Sequence, residues 1–377
     1  MDFELNEDQR AIAEMAGSLM SDYCTDERLR DWDLSGQAYM QDLWTGCVET
    51  GLHALAIPEA AGGSGLGMTE LMQILDAQGG ALAQVPLWRH QLAAATLAEF
   101  GDASLAPWVE QAVAATGLLT LTLDGLTSVR GIELQASAEA DGWRLNGRVA
   151  ALPLAEQSMA ALVLAEVMGQ PRLVLVDLLQ AGISSVPGVM THGEAVADLS
   201  FENVALNKHQ VLPVAALDWL APRAIAALAS LQLGVSAEQV HRTVAYVSER
   251  QQFDRAIGSF QAVQMSMADT HVHLEVLRSA LWQLCYRLDA GLPAPSEALA
   301  TAYLACEAGH RIGHTAQHVH GGIGVDLTYP IHRFLYWSRA LSSALGGSSV
   351  ILERLGDWLN DNETLGWKYD LDEHQAL

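Results

Sequence analysis

Long apolar stretches in the C-terminal half of the chain constrain its fold more than any other sequence feature. Pro293 and Pro295 precede the last of them, and Gly321 and Gly322 follow it, which is typical of a helix start and a glycine C-cap. Helices of this length favour an antiparallel bundle. We therefore predict a C-terminal four-helix bundle domain over residues 213–377. Its alanine- and leucine-rich stretches cover residues 218–249, 261–288 and 296–320.

The two regions before the bundle differ from it in their pattern. Asn6, followed by acidic residues and then by apolar residues at helical spacing, predicts an N-terminal all-α domain over residues 1–115. Residues 116–212 instead carry short alternating segments with turn residues between them, such as Asn146 and Gly147. The predicted fold class is therefore α+β, with a middle antiparallel β-barrel or sheet domain between two helical domains.

The charge balance and composition exclude several classes of protein. The formal net charge is −25, so the surface repels nucleic-acid phosphates and we expect no nucleic-acid partner. No purely apolar run reaches the length of a membrane span, and the acidic residues 1–5 do not begin a secretory signal. The four scattered cysteines form no CxxC pair, which favours reduced thiols, and we expect a cytoplasmic protein.

A polar segment joins the first two long helical stretches, at one end of the predicted bundle. Residues 250–261 read RQQFDRAIGSFQ and combine two arginines with two phenylalanines. Arg250 suits a pyrophosphate, because a guanidinium matches two phosphate oxygens at once. From spacing alone, an ordinary loop with a salt-bridged arginine accounts for the segment better.

A glycine-rich segment follows the third helical stretch. Residues 317–325 read QHVHGGIGV. The three glycines would let a ligand approach the backbone, and Gln317 could hydrogen-bond the edge of an adenine. From spacing alone, a glycine C-cap followed by a turn again accounts for the pattern better.

Taken together and in order, the two segments resemble the FAD-contacting motifs of the acyl-CoA dehydrogenase family. The family pattern is Arg-x-x-Phe-Gly, then Phe-Gln, then Gln-x-x-x-Gly-Gly-x-Gly, then Tyr-Pro and an arginine. Asp254 replaces the glycine of the first motif, whereas residues 57–63 and 201–204 are similar to two further family signatures. The matching residues are Arg250, Phe253, Phe260, Gln261, Gln317, Gly321, Gly322, Gly324, Tyr329, Pro330 and Arg333.

The resemblance implies a specific chemistry. Family members bind FAD without a covalent bond and oxidise an acyl-CoA thioester to its 2,3-enoyl form, and an electron-transfer flavoprotein accepts the electrons. A carboxylate removes the α-proton while the β-hydrogen leaves as a hydride. In the family's dimers, the two motifs contact the FAD of the neighbouring subunit. The residues implied to bind FAD are Arg250, Phe253, Phe260, Gln261, Gln317, Gly321, Gly322 and Gly324.

Neither of the family's base positions holds a carboxylate. Leu345 lies twelve residues after Arg333, and Ala224 lies twenty-six residues before Arg250. We therefore assign no catalytic residue. Thr122 is kept from the family's flavin-contacting run, but residues 149–153 read VAALP where the family has Trp-Ile-Ser/Thr.

This pattern of loss predicts a subunit that contributes FAD contacts to a paralogous partner, which supplies the base. Heteromeric steroid side-chain dehydrogenases of bacteria have this arrangement, and they act on bulky acyl-CoA substrates. Two alternatives remain open. The chain could be a complete homomeric dehydrogenase whose carboxylate lies elsewhere, for example at Asp124 or Glu194. It could also be a binding protein that keeps the fold without the chemistry.

Four histidines near the glycine turn raise the question of a metal site. His314 and His318 are one helical turn apart, a spacing that a ligand pair can have. No carboxylate or cysteine joins them at ligand spacing, and the family needs no metal, so we predict none. The histidines concerned are His314, His318, His320 and His332.

Overall fold

Helices form both ends of the chain and strands form its middle, in a computed structural model that describes residues 4–128 and 130–362. This order confirms the predicted α+β class. The N-terminal helices are α1 (Glu7–Tyr23), α2 (Asp26–Ser35), α3 (Gln41–Glu49), α4 (Met68–Gly80), α5 (Leu87–Phe100) and α6 (Ala106–Val113).

The seven middle strands form one sheet in the order β1-β4-β2-β3-β7-β6, and β5 pairs with β4. Most pairs are antiparallel, as predicted, whereas β1 and β2 each run parallel to β4. Parallel neighbours need a crossover connection, and the β2–β3 hairpin lies in the connection between β1 and β4. The strands are β1 (Leu118–Leu121), β2 (Gln135–Glu139), β3 (Gly142–Pro153), β4 (Ser158–Val167), β5 (Gln170–Asp177), β6 (Ile183–Val189) and β7 (Ala195–Asn207).

Strand β4 lies between two hydrophobic cores. Successive side chains of a strand point to opposite faces, and Leu162 and Leu164 enter the core shared with the helices. Ala161 and Val163 instead enter the core of the sheet itself. This double burial explains why the strand is a nearly continuous apolar run rather than an alternating one. The sheet is thereby fixed against the helical part of the molecule.

The C-terminal helices pack as predicted. Helices α7, α8, α9 and α10 contact one another as a four-helix bundle, and α11 lies along α9. A short hairpin, β8–β9, joins α7 to α8. These elements are α7 (Val214–Glu249), β8 (Gln251–Gln252), β9 (Arg255–Ala256), α8 (Gln261–Asp289), α9 (Pro295–His320), α10 (Ile331–Leu345) and α11 (Ser348–Asp361).

By length and composition, α7 could cross a membrane. However, 50% of its most apolar window is buried inside the protein, and it packs against α4, α8, α9 and α10. The central helix of a bundle has the same apolar character, so its composition is explained by its place in the core.

Helices α4 and α7 cross closely at two glycines. A Cβ atom on Gly79 would overlap the carbonyl oxygen of Leu231, and one on Gly234 would overlap that of Asp76. The two backbones can approach this closely only because neither glycine has a side chain. Gln78 and Leu231, beside the crossing, line the cavity described next, so this contact helps to shape the site.

Candidate functional site

A cavity of about 210 Å³ lies where α4, α5, α7, α10 and the sheet meet. Ala224 and Leu345, at the two family base positions, both lie on its wall and are 4% and 3% exposed. Two positions far apart in the sequence therefore meet at one site, and neither side chain can accept a proton. Most of the remaining wall is apolar and includes Leu121, Ala150, Ala221, Ile225, Leu228, Leu231, Leu341 and Ile351.

The sheet forms the other side of this cavity. Thr122, the residue kept from the family's flavin-contacting run, lines it, and so do Ala150, Ala151 and Pro153. The backbone at Ala151 has a φ of 44°, and its N–H donates to the Asp198 carboxylate at 2.8 Å. The segment that replaces Trp-Ile-Ser/Thr is thus placed at the cavity, but it offers neither an indole ring nor a hydroxyl group there.

Asp124, one of the two alternative bases, lies at the rim of the cavity. It begins the short 3₁₀ turn Asp124–Leu126 after β1, and its backbone N–H donates to the Thr122 hydroxyl at 3.3 Å. Partial burial raises the pKa of the Asp124 carboxyl above its ordinary value. The position is therefore compatible with a proton acceptor near the cavity.

Glu194, the other alternative base, is held in a mostly buried cluster with Arg89 and His192, which we call the Arg89 cluster. Glu194 Oε1 lies 2.5 Å from Arg89 Nη1, and Glu194 Oε2 lies 3.7 Å from His192 Nε2. Burial lowers the pKa of His192, which favours the neutral imidazole. To act as a base, Glu194 would first have to leave its ion pair with Arg89.

The first predicted FAD motif forms the β8–β9 hairpin and the turn after it. The backbone oxygen of Arg250 accepts from the Ile257 N–H at 2.8 Å, which closes the hairpin. The Arg255 guanidinium lies 3.9 Å from the centre of the Phe260 ring, and the Phe253 ring packs edge-on against Phe260. Arg250 is exposed and, among the residues that the structure describes, it has no ion-pair partner.

The second predicted motif ends α9. Gly321 has a φ of 63° and, like Gly322, has open space where a Cβ would stand. Gly324 makes room for Gln317, because a Cβ there would lie 2.8 Å from Gln317 Oε1. The Gln317 Nε2 atom is buried without a hydrogen-bond partner. A bare glycine backbone beside an unsatisfied amide fits a ligand that is rich in hydrogen-bonding groups, such as the nucleotide part of FAD.

Aromatic stacking joins the ends of α7 and α9. Tyr246, one turn before Arg250, stacks on His320 with ring centres 4.2 Å apart. His320 directly precedes Gly321, and its Nε2 lies 3.4 Å from the Tyr329 hydroxyl. The structure therefore brings both predicted motifs to the same end of the bundle, and Gln261 begins α8 at this end as well.

Arg333 and two of the histidines near the glycine turn make contacts within the protein. Arg333 donates from Nε and Nη2 to Asp33 Oδ2 at 2.9 and 2.7 Å, which ties α10 to α2. His314 Nε2 lies 2.5 Å from Arg339 Nη2, and His332 Nδ1 lies 2.8 Å from the Tyr329 carbonyl. In residues 4–128 and 130–362, no group of three or more His, Cys, Asp or Glu side chains is placed to hold a metal ion.

The sequence reasoning missed a polar cleft at the start of α11. An arginine beside the N-terminus of a helix suits an anion. The sequence signal was the Gly346 and Gly347 pair followed by two serines, which marks a helix start. The residues lining the cleft are Cys306, Glu307, Gly309, His310, Ser338, Arg339, Ser342, Gly346, Gly347, Ser348 and Ser349.

Comparison with known proteins agrees with this geometry. The chain matches the family models described as acyl-CoA dehydrogenase, N-terminal domain, over residues 6–114, and acyl-CoA dehydrogenase, C-terminal domain, over residues 223–359. Acyl-CoA dehydrogenase FadE27 of Mycobacterium tuberculosis is 32% identical, over 94% of this chain and 98% of the relative.

Two solved structures share both fold and sequence with the chain. A variant of the Tcur3481–Tcur3483 steroid ACAD is 36% identical with a TM-score of 0.89, over 94% of this chain and 98% of that one. The ChsE4–ChsE5 complex from Mycobacterium tuberculosis is 32% identical with a TM-score of 0.91, over 97% of this chain and 100% of that one. With its helix–sheet–helix fold, its two family-model matches and this similarity to relatives over nearly its whole length, the chain belongs to the acyl-CoA dehydrogenase family.

Proposed function

We propose that this chain is the subunit of a heteromeric acyl-CoA dehydrogenase that contributes FAD contacts without a catalytic base. The observation that carries the proposal is the cavity wall at Ala224 and Leu345. Tcur3481–Tcur3483 and ChsE4–ChsE5 each pair two differently named chains, and the first is a steroid ACAD. We accordingly propose a CoA thioester with a bulky, steroid-like acyl group as the substrate.

The cofactor is FAD, which accepts a hydride in α,β-dehydrogenation. The α-proton must go to a base within hydrogen-bond reach, and neither leucine nor alanine can take it. In our proposal the reaction therefore occurs in the partner subunit's cavity. Arg250, Gln317 and the glycine turn of this chain reach the FAD bound there, and an electron-transfer flavoprotein accepts the electrons.

Exposed apolar side chains near the two motifs support a contact with another chain. Phe253 is 86% exposed at the hairpin tip, and Val325 and Leu327, just after the glycine turn, are 74% and 69% exposed. Apolar groups that cluster at a surface favour burial in an interface. All four cysteines are buried and free, which supports the proposed location in the reducing cytoplasm.

Purification of the chain alone, and then together with the product of an adjacent dehydrogenase gene, tests the proposal. The lone chain should be poor in FAD and inactive, because its cavity lacks a base and the family's flavin-covering residues. The pair should be yellow and should oxidise a steroid-like acyl-CoA. Full FAD and turnover in the lone chain would refute the proposal. Absence of FAD from both samples would favour a non-catalytic binding protein.

A second candidate function is a complete homomeric dehydrogenase in which Asp124 is the base. The raised pKa of Asp124 and its place at the cavity rim favour this reading. The decisive change is Asp124→Asn, with Asp141→Asn at an exposed turn as the matched control. If Asp124 is the base, turnover should fall by about 10²-fold or more. If the partner supplies the base, both variants should retain the turnover of the unmodified complex.

A further inference from the structure

The dehydrogenation chemistry does not use the Arg89 cluster, although the cluster lies on the wall of the cavity. Arg89 comes from α5, and His192 and Glu194 come from the turn between β6 and β7. Their side chains are only 16%, 7% and 18% exposed. Charged and polar groups are seldom buried without a compensating partner. The proposed reaction gives no reason for burying these three groups at the cavity wall.

The turn that carries His192 and Glu194 is held in a fixed shape. Met190 N–H donates to the Glu194 carbonyl at 2.9 Å, and Gly193 N–H donates to the Met190 carbonyl at 2.8 Å. The Gln84 amide, on the loop before α5, donates to the His192 carbonyl at 2.8 Å. This backbone framework presents the His192 side chain at a defined place on the wall.

The cluster combines a balanced charge with an unmet hydrogen bond. Arg89 and Glu194 offset each other, and burial lowers the pKa of His192, which favours its neutral ring. His192 Nδ1 is buried without a hydrogen-bond partner. Among the residues that the structure describes, the Arg89 guanidinium donates a hydrogen bond only to Glu194. A ligand group that meets this cluster should therefore form hydrogen bonds without bringing a charge, because an added carboxylate would be buried uncompensated.

The surroundings of the cluster favour a bulky ligand with little polarity. Trp88 and Trp337 lie beside it, since the Arg89 Cζ is 4.6 Å from the Trp88 ring centre and the His192 ring packs edge-on against Trp337. His192, Gln84 and Trp337 also line a second cavity of about 650 Å³. The polar group of a ligand would thus meet the cluster between aromatic rings, with space on both sides of His192.

We propose that the first cavity, whose wall includes Ala224 and Leu345, binds a bulky apolar molecule. This molecule carries one neutral hydroxyl or keto group, which forms a hydrogen bond with the Arg89 cluster. That this ligand is bound without being oxidised rests on the proposed function, in which the cavity of this chain has no base. The chain would then have a ligand site of its own beside the FAD contacts that it offers to a partner.

Binding of three probes to the FAD-free lone chain tests this inference. Androstanone and androstanol carry the neutral polar group, and the hydrocarbon androstane lacks it. The ketone and the alcohol should bind about two- to ten-fold more tightly than androstane, as expected for one neutral hydrogen bond. Equilibrium dialysis measures all three affinities. Equal affinity for the three probes, or no binding of any, would overturn the inference.

Variants of His192 identify the group that recognises the probe. His192→Phe keeps a ring against Trp337 and removes both ring nitrogens, so the preference for ketone and alcohol should shrink while androstane binding stays. His192→Gln keeps a hydrogen-bonding group and should retain part of the preference. His241→Phe, on an exposed face of α7, is the matched control. Equal weakening of all three probes in His192→Phe, or an unchanged preference, would contradict the assignment.

These outcomes are independent of the proposed function. Probe binding is measured without FAD, partner or turnover, so its failure leaves the sharing of FAD between subunits untouched. Conversely, turnover by the lone chain would overturn the subunit proposal, and the dialysis result would still decide whether the Arg89 cluster binds a polar group.

Discussion

At the scale of single residues, Arg250 gives the sharpest test of the proposed FAD contact. It is exposed at the end of α7 and free of ion pairs within the part of the chain that the structure describes, as suits a group that binds a phosphate outside its own chain. Hydrogen bonds to charged groups contribute about 1.5–3 kcal/mol. We expect Arg250→Ala to weaken FAD binding by the assembled complex by about ten- to a hundred-fold.

Flavin absorbance after exhaustive dialysis measures this effect. Arg10→Ala, which removes an exposed arginine from α1, is the control for the change in charge. Flavin content that is the same in Arg250→Ala, Arg10→Ala and the unmodified complex would remove Arg250 from the FAD site.

Asp254, next to the hairpin tip, is one departure from the family pattern. Asp254 stands where the family has glycine, and its φ is 64°. A left-handed backbone is costly for residues with a side chain, although aspartate tolerates it better than most. We expect Asp254→Gly to raise the free energy of unfolding by about 0.5 kcal/mol. Urea denaturation measures it, and a loss of stability would contradict this account.

Asp141→Gly is the matched control for that experiment. Asp141 lies in the turn between β2 and β3, and it is not among the residues with positive φ. Glycine there adds freedom to the unfolded chain without relieving a left-handed backbone, so the control should lose a little stability. Opposite signs for the two variants are the expected result.

At the scale of elements, His90 fastens α5 to the sheet and to α6. Its Nε2 donates to the Ala112 carbonyl at 3.1 Å, and its Nδ1 accepts from the Leu119 N–H at 3.2 Å. Both contacts are met only by the neutral ring, because a proton on Nδ1 would face the Leu119 N–H. Burial lowers the pKa of His90 from 6.5 to about 4.

This lowered pKa predicts a loss of stability in acid. The unfolded chain takes up a proton at its ordinary pKa, above that of the folded chain. The stabilising contribution is therefore complete above pH 6.5 and is lost as pH falls toward about 4. Between pH 7 and pH 5, His90 should cost roughly 2 kcal/mol of the free energy of unfolding.

Comparison of His90→Gln with the exposed control His241→Gln isolates that contribution. The difference in unfolding free energy between pH 7 and pH 5 should shrink in His90→Gln and stay as in the unmodified chain in His241→Gln. An unchanged pH dependence in His90→Gln would show that His90 does not titrate in this range.

Local sequence patterns predicted the elements well but not all of their connections. The long apolar periodicity indicated the bundle, although α7 begins at Val214, earlier than expected, and continues through Pro222. Packing of α7 among its neighbours outweighs the local cost of that proline. The parallel pairing of β1 and β2 with β4 depends on a crossover between distant segments, so alternation along single strands could not reveal it.

The candidate site, too, could be predicted from the sequence only in part. Residue spacing located Ala224 and Leu345, and the structure places both on one wall. Glu194 is one of the two alternative bases that the sequence suggests, but its ion pair joins residues that are 105 positions apart in the sequence. Such a pairing is set by the tertiary fold, so no local pattern could assign Arg89 to Glu194. The cleft at α11 was missed for the same reason, because it collects residues from α9, α10 and α11.

At the scale of the whole molecule, the chain keeps the two exposed segments that resemble the family's FAD motifs. Its own cavity lacks a base and the family's flavin-covering residues. The hairpin and the glycine turn lie exposed at one end of the bundle, with Phe253 and Val325 uncovered beside them. Inside, Ala150 and Ala151 stand where the family places flavin-covering residues. This contrast favours a complex in which only the partner subunit holds a flavin ring.

The FAD-to-protein ratio of the co-purified complex tests this claim most directly. Flavin absorbance after denaturation counts FAD, and quantitative amino-acid analysis counts each chain. We predict one FAD for each pair of this chain with its partner, and nearly none for this chain alone. Two FAD molecules for each pair, or a full complement of FAD in the lone chain, would contradict the account.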